Sequence, residues 1–413
     1  MSGPSLAGRR VALLHPAWHS CGTYRVVVGQ IEAYRALGAE VSPVAVSLDP
    51  GYVPERDWIW KSFREATPEL DAGPRHFGGA PLHVVFSPDF LGRVLWPYLH
   101  GDQAVIRLGL TERARLSPGV EERDYDLVHC NHFFLMPVAR RLAHGRAPIL
   151  LDTHDLQTRQ FDMMNEGMPW LRPRATYDSM LAQELEAMRG ADLLLHLNAQ
   201  EAEEFRRLLP EKRHALLYPP TPPAPTGPGG DDIVIVSSNN TANVESLIWF
   251  LREVAPKAPG IEVKIVGNVD AGVRSRASAE YAAYRNWFLG RVDDPGVIYA
   301  KARLALLPTI SGTGLSIKTV EAMSSGLPLI ATPQALRGLD AEAFELSNVT
   351  LADTAEAFAA ALRAAAAGKR EDSGRATSPT RAYYEKRFSL AAYRQGVAAL
   401  AAPLLDGAPG GSL

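Results

Sequence analysis

The chain has little of what marks an unusual environment. Cys21 and Cys130 are its two cysteines in 413 residues. They offer no disulfide framework and fit a reducing compartment. Neither charge is in large excess: 43 Lys and Arg stand against 46 Asp and Glu, a formal net charge of -3. Nothing in that balance points to nucleic acid, whose binders carry a basic stripe or patch. Long apolar runs are missing. The opening MSGPSLAGRRVALLHPAW holds too short an apolar stretch for a secretory leader or a membrane span, and no later segment is better suited. A cytoplasmic protein is expected, with peripheral contact at a membrane left open. Acidic pairs able to clamp a metal are scarce, because Asp231-Asp232 and Asp293-Asp294 read as linker and turn residues.

What is present is an ordinary globular balance, with 46% hydrophobic and 22% charged residues. The length implies two or three domains with ample core. Heavy use of Ala, Arg, Gly and Pro fits a high-GC bacterial source. The clearest boundary is PPTPPAPTGPGGDD, residues 219–232, a stiff and extended connector. It divides an N-terminal domain, 1–218, from a C-terminal domain, 233–382. A last helix over about 383–405 is expected to cross back to the first domain.

The first half opens with a strand at 10–14, a loop containing Gly22, a helix at about 24–37 and a strand at 40–46. That is the βαβ start of a doubly wound parallel sheet. Residues 48–124 carry Trp58, Trp60, Phe63, Phe86, Phe90, Trp96 and Tyr98 among prolines and glycines. A strand at 82–86 and a helix at 88–99 are expected there, with the aromatics mostly in the core. YDLVH, 125–129, is the next strand, followed by His129, Cys130 and His132 close together. No fourth ligand stands at metal spacing, so strand-end histidines are the better reading. A helix at 133–143 and a strand at 148–151 lead to DTHDLQTRQF. His154 and Asp155 thus fall at the carboxyl end of a parallel strand, where open α/β sheets bind ligands. An amphipathic helix at 177–188 has Glu184 and Glu186 on its wet face.

The second half is organised around TISGTGLSIKTVEAMSSGLPLIATPQALRGLD, residues 309–340. An apolar strand at 304–307 enters a small-residue loop, Ser311 to Gly314. Ile317, Val320, Ala322 and Met323 then begin a helix, and Gly326 with Pro328 stops it. A glycine loop between a strand and a helix aims backbone N–H groups and the positive helix end at an anion. Lys318 sits in the first turn, where the macrodipole disfavours a cation, so an anion in front of it is expected. Glu321, one turn on, suits two neighbouring hydroxyls such as a ribose offers.

The string GTGLSIKTVEAMSSGLPLIATPQALRGL resembles the nucleotide-sugar signature of GT-B glycosyltransferases of group 1, near family 4. The THD segment at 153–155 resembles theirs as well. The resemblance implies two Rossmann-like domains of doubly wound parallel sheet facing a cleft. It implies transfer of a sugar from a nucleotide diphosphate sugar, UDP- or GDP-linked, to an acceptor hydroxyl of a polysaccharide, glycolipid or natural product. No cofactor or obligatory metal is expected. The amides of Gly312, Gly314, Leu315 and Ser316, with Lys318, would hold the diphosphate, and Glu321 the ribose. His154 would reach the reaction centre, with Asp155 to orient it. Gly22 and Thr23 are candidates to close on phosphate or sugar, and Arg291 to line the base pocket.

Two departures stand out. Many relatives carry a glutamate where this chain has Thr313, so the grip on the sugar differs. The loop that opens the second domain often offers Arg and Lys to the diphosphate; here 237–246 has neither, and Asn243 before the helix is the remaining candidate. Two other classes stay open: a nucleotide-sugar epimerase of the same fold, and a noncatalytic nucleotide-binding partner.

Overall fold

A computed structural model describes residues 5–19, 21–71, 73–161, 175–225, 229–292, 296–312, 314–368 and 374–406. The chain forms two compact units. The first comprises residues up to Leu197, Glu201–Pro219 and the chain from Tyr393 on; the second comprises Asn198–Gln200 and Pro220–Ala392.

In the first unit an eight-stranded sheet is built from β1 (Arg10–Pro16), β2 (Glu40–Val46), β3 (His76–Gly79), β4 (Arg115–Leu116), β5 (Leu127–Asn131), β6 (Ile149–Asp152), β7 (Leu193–His196) and β8 (His214–Leu216). Their order is β4-β3-β2-β1-β5-β6-β7-β8. All neighbours are parallel except β3 and β4. Both faces are covered, which is why these strands are apolar at nearly every position. Alternation along β1 divides its side chains between two cores. Val11 and Leu13 join Val27, Ile31 and Tyr34 of α1 (Gly22–Ala36). Ala12 and Leu14 join Val138 and Leu142 of α2 (Met136–Ala143) and Met188 of α3 (Tyr177–Met188).

The second unit holds a six-stranded sheet of β9 (Asp232–Val236), β10 (Lys264–Val266), β11 (Phe288–Gly290), β12 (Ala302–Leu307), β13 (Leu329–Ala331) and β14 (Val349–Leu351). Its order is β11-β10-β9-β12-β13-β14, all parallel. Ile233, Ile235, Leu304 and Leu306 pack with Val244 and Leu247 of α4 (Thr241–Trp249). A further helix, α5 (Ile317–Ser324), leaves the end of β12. Part of the proline-rich connector is tied to this unit. Thr221 N–H donates to Phe388 O at 3.0 Å, and Ala224 N–H to Ser324 Oγ at 2.8 Å.

The final helix, α6 (Leu390–Leu405), places Tyr393, Val397, Ala401 and Leu404 in the α1-side core of the first unit. Its start differs from the single helix expected at 383–405. Pro379–Arg387 is a separate helix, and Ser389 Oγ accepts the Ala392 N–H at the new start. Among the described residues no helix is long and apolar enough to cross a membrane.

Other local readings are corrected. Residues 82–86 form a short 3-10 helix rather than a strand. Pro81 precedes it, Ser87 follows, and Phe86 is 70% exposed, so the apolar run has no sheet to join. The aromatics around it divide. Trp60, Phe63 and Phe90 are buried, whereas Trp58, Phe86 and Trp96 are exposed.

Glu184 does not lie on a wet face; it is fully buried, while Glu186 is exposed. The Glu184 carboxylate accepts from Gln157 N (3.0 Å), Thr158 N (2.9 Å) and Thr158 Oγ1 (2.6 Å). Burial lifts its pKa to about 7 against those hydrogen bonds. It fastens the turn that follows His154 to α3. Glu184→Ala leaves two backbone donors and a hydroxyl without their acceptor and is expected to cost about 1–3 kcal/mol. Urea unfolding checks this, and an unchanged midpoint would contradict it.

Candidate functional site

Each unit gathers its candidate site residues at the carboxyl ends of its strands. In the second unit they stand where the strand order reverses. The chain leaves β9 toward β10 on one side, while β12 lies on the other. Open sheets bind ligands at such a switch point. Ser237 follows β9, and the glycine loop follows β12.

Gly312 has φ +121° and Gly314 φ +65°, backbone that side-chain-bearing residues rarely adopt. Ser316 is the N-cap of α5, yet its side chain caps no amide. Its Oγ lies 2.9 Å from Thr319 Oγ1, which donates to Ala335 O at 2.6 Å. Thr319 N–H donates to Ser316 O at 3.0 Å, and the Ser316 side chain takes none of the first-turn N–H groups, which carry the positive end of the helix.

Lys318 Nζ reaches within 3.4 Å of Ser237 Oγ, across the switch point. Its pKa is lowered to about 8, chiefly by burial and further by the Arg337 charge, with Glu321 opposing. At pH 7 it is an ammonium held in partly dry surroundings. Glu321 also acts on the buried Tyr299, whose hydroxyl is pushed up first by burial and then by that carboxylate.

The sequence reading missed what covers this loop. Gln334 Nε2 donates to Gly312 O at 2.8 Å. The Arg337 guanidinium lies 3.1 Å from the point a Cβ on Gly312 would occupy. The signal was available: Lys318 and Arg337 are the only basic residues of the glycine-rich string.

Asn243 has a local role. Asn240 is the N-cap of α4, its Oδ1 accepting the Asn243 N–H, and Asn243 Nδ2 donates to Ser238 O and Oγ. Arg291 is exposed. Thr313 and the turn residues 293–295 lie outside the described residues.

In the first unit the corresponding switch point lies between β1 and β5. Gly22 is the first residue of α1, and Thr23 Oγ1 is 3.2 Å from His132 Nε2. His132 and His154 both have positive φ, 71° and 57°, and their rings stack with centroids 4.0 Å apart. Two left-handed histidines side by side store backbone strain, and strain of this kind concentrates at working sites.

A buried amide network holds them. His154 Nε2 is 2.8 Å from Asn131 Oδ1, which also accepts from Gln30 Nε2 at 3.1 Å. Asn131 Nδ2 in turn donates to Leu14 O and Gln30 Oε1. These bonds assign the proton to Nε2 of a neutral His154, leaving Nδ1 as the lone-pair atom. Burial lowers the His154 pKa to about 3, so the ring stays neutral.

The carboxylate beside His154 is Asp152, not Asp155. Asp152 Oδ1 accepts the His154 N–H at 3.2 Å, and Oδ2 accepts from Gln30 at 3.0 Å. Burial raises the Asp152 pKa to about 7, with both hydrogen bonds opposing. Asp155 instead accepts from Gln157 and Gln160. β6 ends at Asp152, and the chain turns there so that the Asp152 carboxylate takes the backbone N–H of His154 two residues on. His132 spends Nε2 on Thr23, and among the described residues no group of three His, Cys, Asp or Glu is arranged for a metal.

The family described as "Glycosyl transferase 4-like domain" matches residues 22–221, and "Glycosyl transferases group 1" matches 230–367. Among curated proteins no sequence matches this chain. Solved structures similar to it include Anabaena HepE in complex with UDP and glucose, at 15% identity and TM-score 0.57, covering 95% of this chain and 99% of that one. Trehalose 6-phosphate synthase from Burkholderia multivorans is 14% identical at TM-score 0.57, covering 97% and 98%. A Rickettsia africae glycosyltransferase is 12% identical at TM-score 0.57, covering 97% and 99%. At these identities the likeness is one of fold.

Proposed function

The chain belongs to the group 1 glycosyltransferases of GT-B fold, and from that premise we propose that it moves a sugar from a nucleoside diphosphate sugar to an acceptor hydroxyl without a resident metal. The observation that carries this reading is the uncapped start of α5 behind the Gly312–Gly314 loop, with the Lys318 ammonium beside it. As the sugar leaves, negative charge builds on the diphosphate. Loop amides and Lys318 meet that charge without reorganising, which is how such donors lower a barrier. Glu321 takes the ribose hydroxyls. His154 offers Nδ1 as an acceptor toward the transferred sugar or the attacking hydroxyl.

UDP is the first nucleotide to try, since the Anabaena neighbour is described with UDP and glucose. The test is a thermal-shift panel of UDP, GDP, dTDP and ADP, with and without EDTA. One diphosphate at 100 times its Kd is expected to stabilise the protein by about 2.7 kcal/mol, with EDTA making no difference. A panel without any shift would overturn the reading of the loop. A shift abolished by EDTA would overturn metal independence alone. Product analysis with donor sugar and no acceptor then separates transfer from epimerisation.

A further inference from the structure

The segment after β13 folds over the glycine loop at three points. Gln334 Nε2 holds Gly312 O, the Arg337 guanidinium fills the space a side chain on Gly312 would need, and Gly338, at φ +79°, passes so that its Cβ position is 3.2 Å from Leu315 Cα. Arg337 Nη1 donates to Gln334 O at 3.2 Å, so the guanidinium is anchored to the same segment. It is half-buried, and that burial lowers its pKa from the ordinary value.

Burial is the main reason the Lys318 pKa is lowered, while Glu321 supports its charge and Arg337 opposes it. A guanidinium and an ammonium beside the glycine loop, at the positive end of α5, suit an anion with more than one phosphoryl group. A phosphate monoester can be met by Lys318 and the loop amides. A diphosphate has a second phosphoryl group, and a planar guanidinium fork matches its oxygens in a way a point charge does not. The loop at 237–246 contributes no Arg or Lys, so the second charge has to come from elsewhere in the unit.

We infer that Arg337 is a diphosphate-binding residue, working with Lys318 so that the site takes nucleoside diphosphates in preference to monophosphates. This rests on the donor site proposed above. Gly312 is the complement of this role: without a side chain it leaves the fork open to the loop.

Calorimetric titration of UDP, UMP and inorganic pyrophosphate into wild type, Arg337→Gln and Arg337→Lys tests it. Arg337→Gln is expected to weaken UDP and pyrophosphate by about tenfold to hundredfold, the range of one charged hydrogen-bonding partner, and UMP by less than about threefold. Arg337→Lys is expected to recover only part of the loss. Equal weakening of UDP and UMP would overturn the inference by assigning Arg337 a merely structural part. So would a variant that binds UDP as tightly as wild type. If wild type binds neither UDP nor pyrophosphate while GDP, dTDP or ADP also leave its melting temperature unmoved, the donor site itself has failed, an outcome distinct from failure of Arg337 alone. Melting of the unliganded variants verifies that each is folded.

Discussion

Lys318→Ala is expected to lower kcat/KM by about 10²–10³-fold, the usual loss for one preorganised donor to a developing anion, while the unliganded protein melts at or above the wild-type temperature. The second half of that expectation follows from linkage. Lys318 has a folded pKa of about 8 against 10.5 unfolded, because burial disfavours its charge by more than Glu321 supports it, with Arg337 adding to the loss. Between those values the unfolded chain binds more protons, so stability rises with pH across the window. Below pH 8 the charge is a standing cost to the folded state, and removing it relieves that cost. The charge is kept against stability, as a binding group is.

The same pKa sets a pH dependence for ligand. Diphosphate affinity is expected to fall as pH rises through 8. Because the anion favours the ammonium, binding near pH 8–9 takes up protons, which calorimetry in buffers of different ionisation enthalpy reads directly. A flat affinity profile across this range, or a variant that loses folded protein in proportion to activity, would count against the role of Lys318.

His154→Asn is expected to cost about 10²–10³-fold in kcat, within the range of a positioned acid or base. Asparagine is chosen because it tolerates the left-handed backbone better than other residues with side chains. The strain at φ 57° is thereby eased rather than increased. The melting temperature is accordingly expected to hold, apart from the stacking lost against His132. Since His154 is neutral well below physiological pH, the wild-type rate is expected to show no limb from it between pH 5 and 8. Full retention of kcat in the variant would remove His154 from the reaction.

Much of this site was legible, and the reason is locality. The loop from Gly312 to Ser316 and the turn bearing Lys318 are contiguous. Glycine preference, helix period and the positive helix end act within a few residues, so the residues alone predict the loop and the helix start beside Lys318. Glu184 was not legible: helix period tells which residues share a face, not that both faces of α3 are covered, as its three hydrogen bonds to 157–158 require. The run at 82–86 has the composition of a strand, but strand formation needs a partner edge, and nothing local reports its absence.

The parallel-sheet class and the strand, glycine loop and helix that bear Gly312, Gly314 and Lys318 are properties of the sequence by itself, because they follow from period, glycine and the ends of single elements. The hydrogen-bond network around His154 is not. Gln30, Asn131 and Asp152 come from α1, β5 and β6, with Gln30 101 residues from Asn131 and 122 from Asp152. Only the strand order β1-β5-β6 sets them side by side. Arg337 reaches Gly312 for the same reason, since β12 and β13 are neighbours in the sheet. Strand order is chosen by the burial of whole sheet faces, an energy summed over the unit, and so only the tertiary structure decides which distant side chains meet.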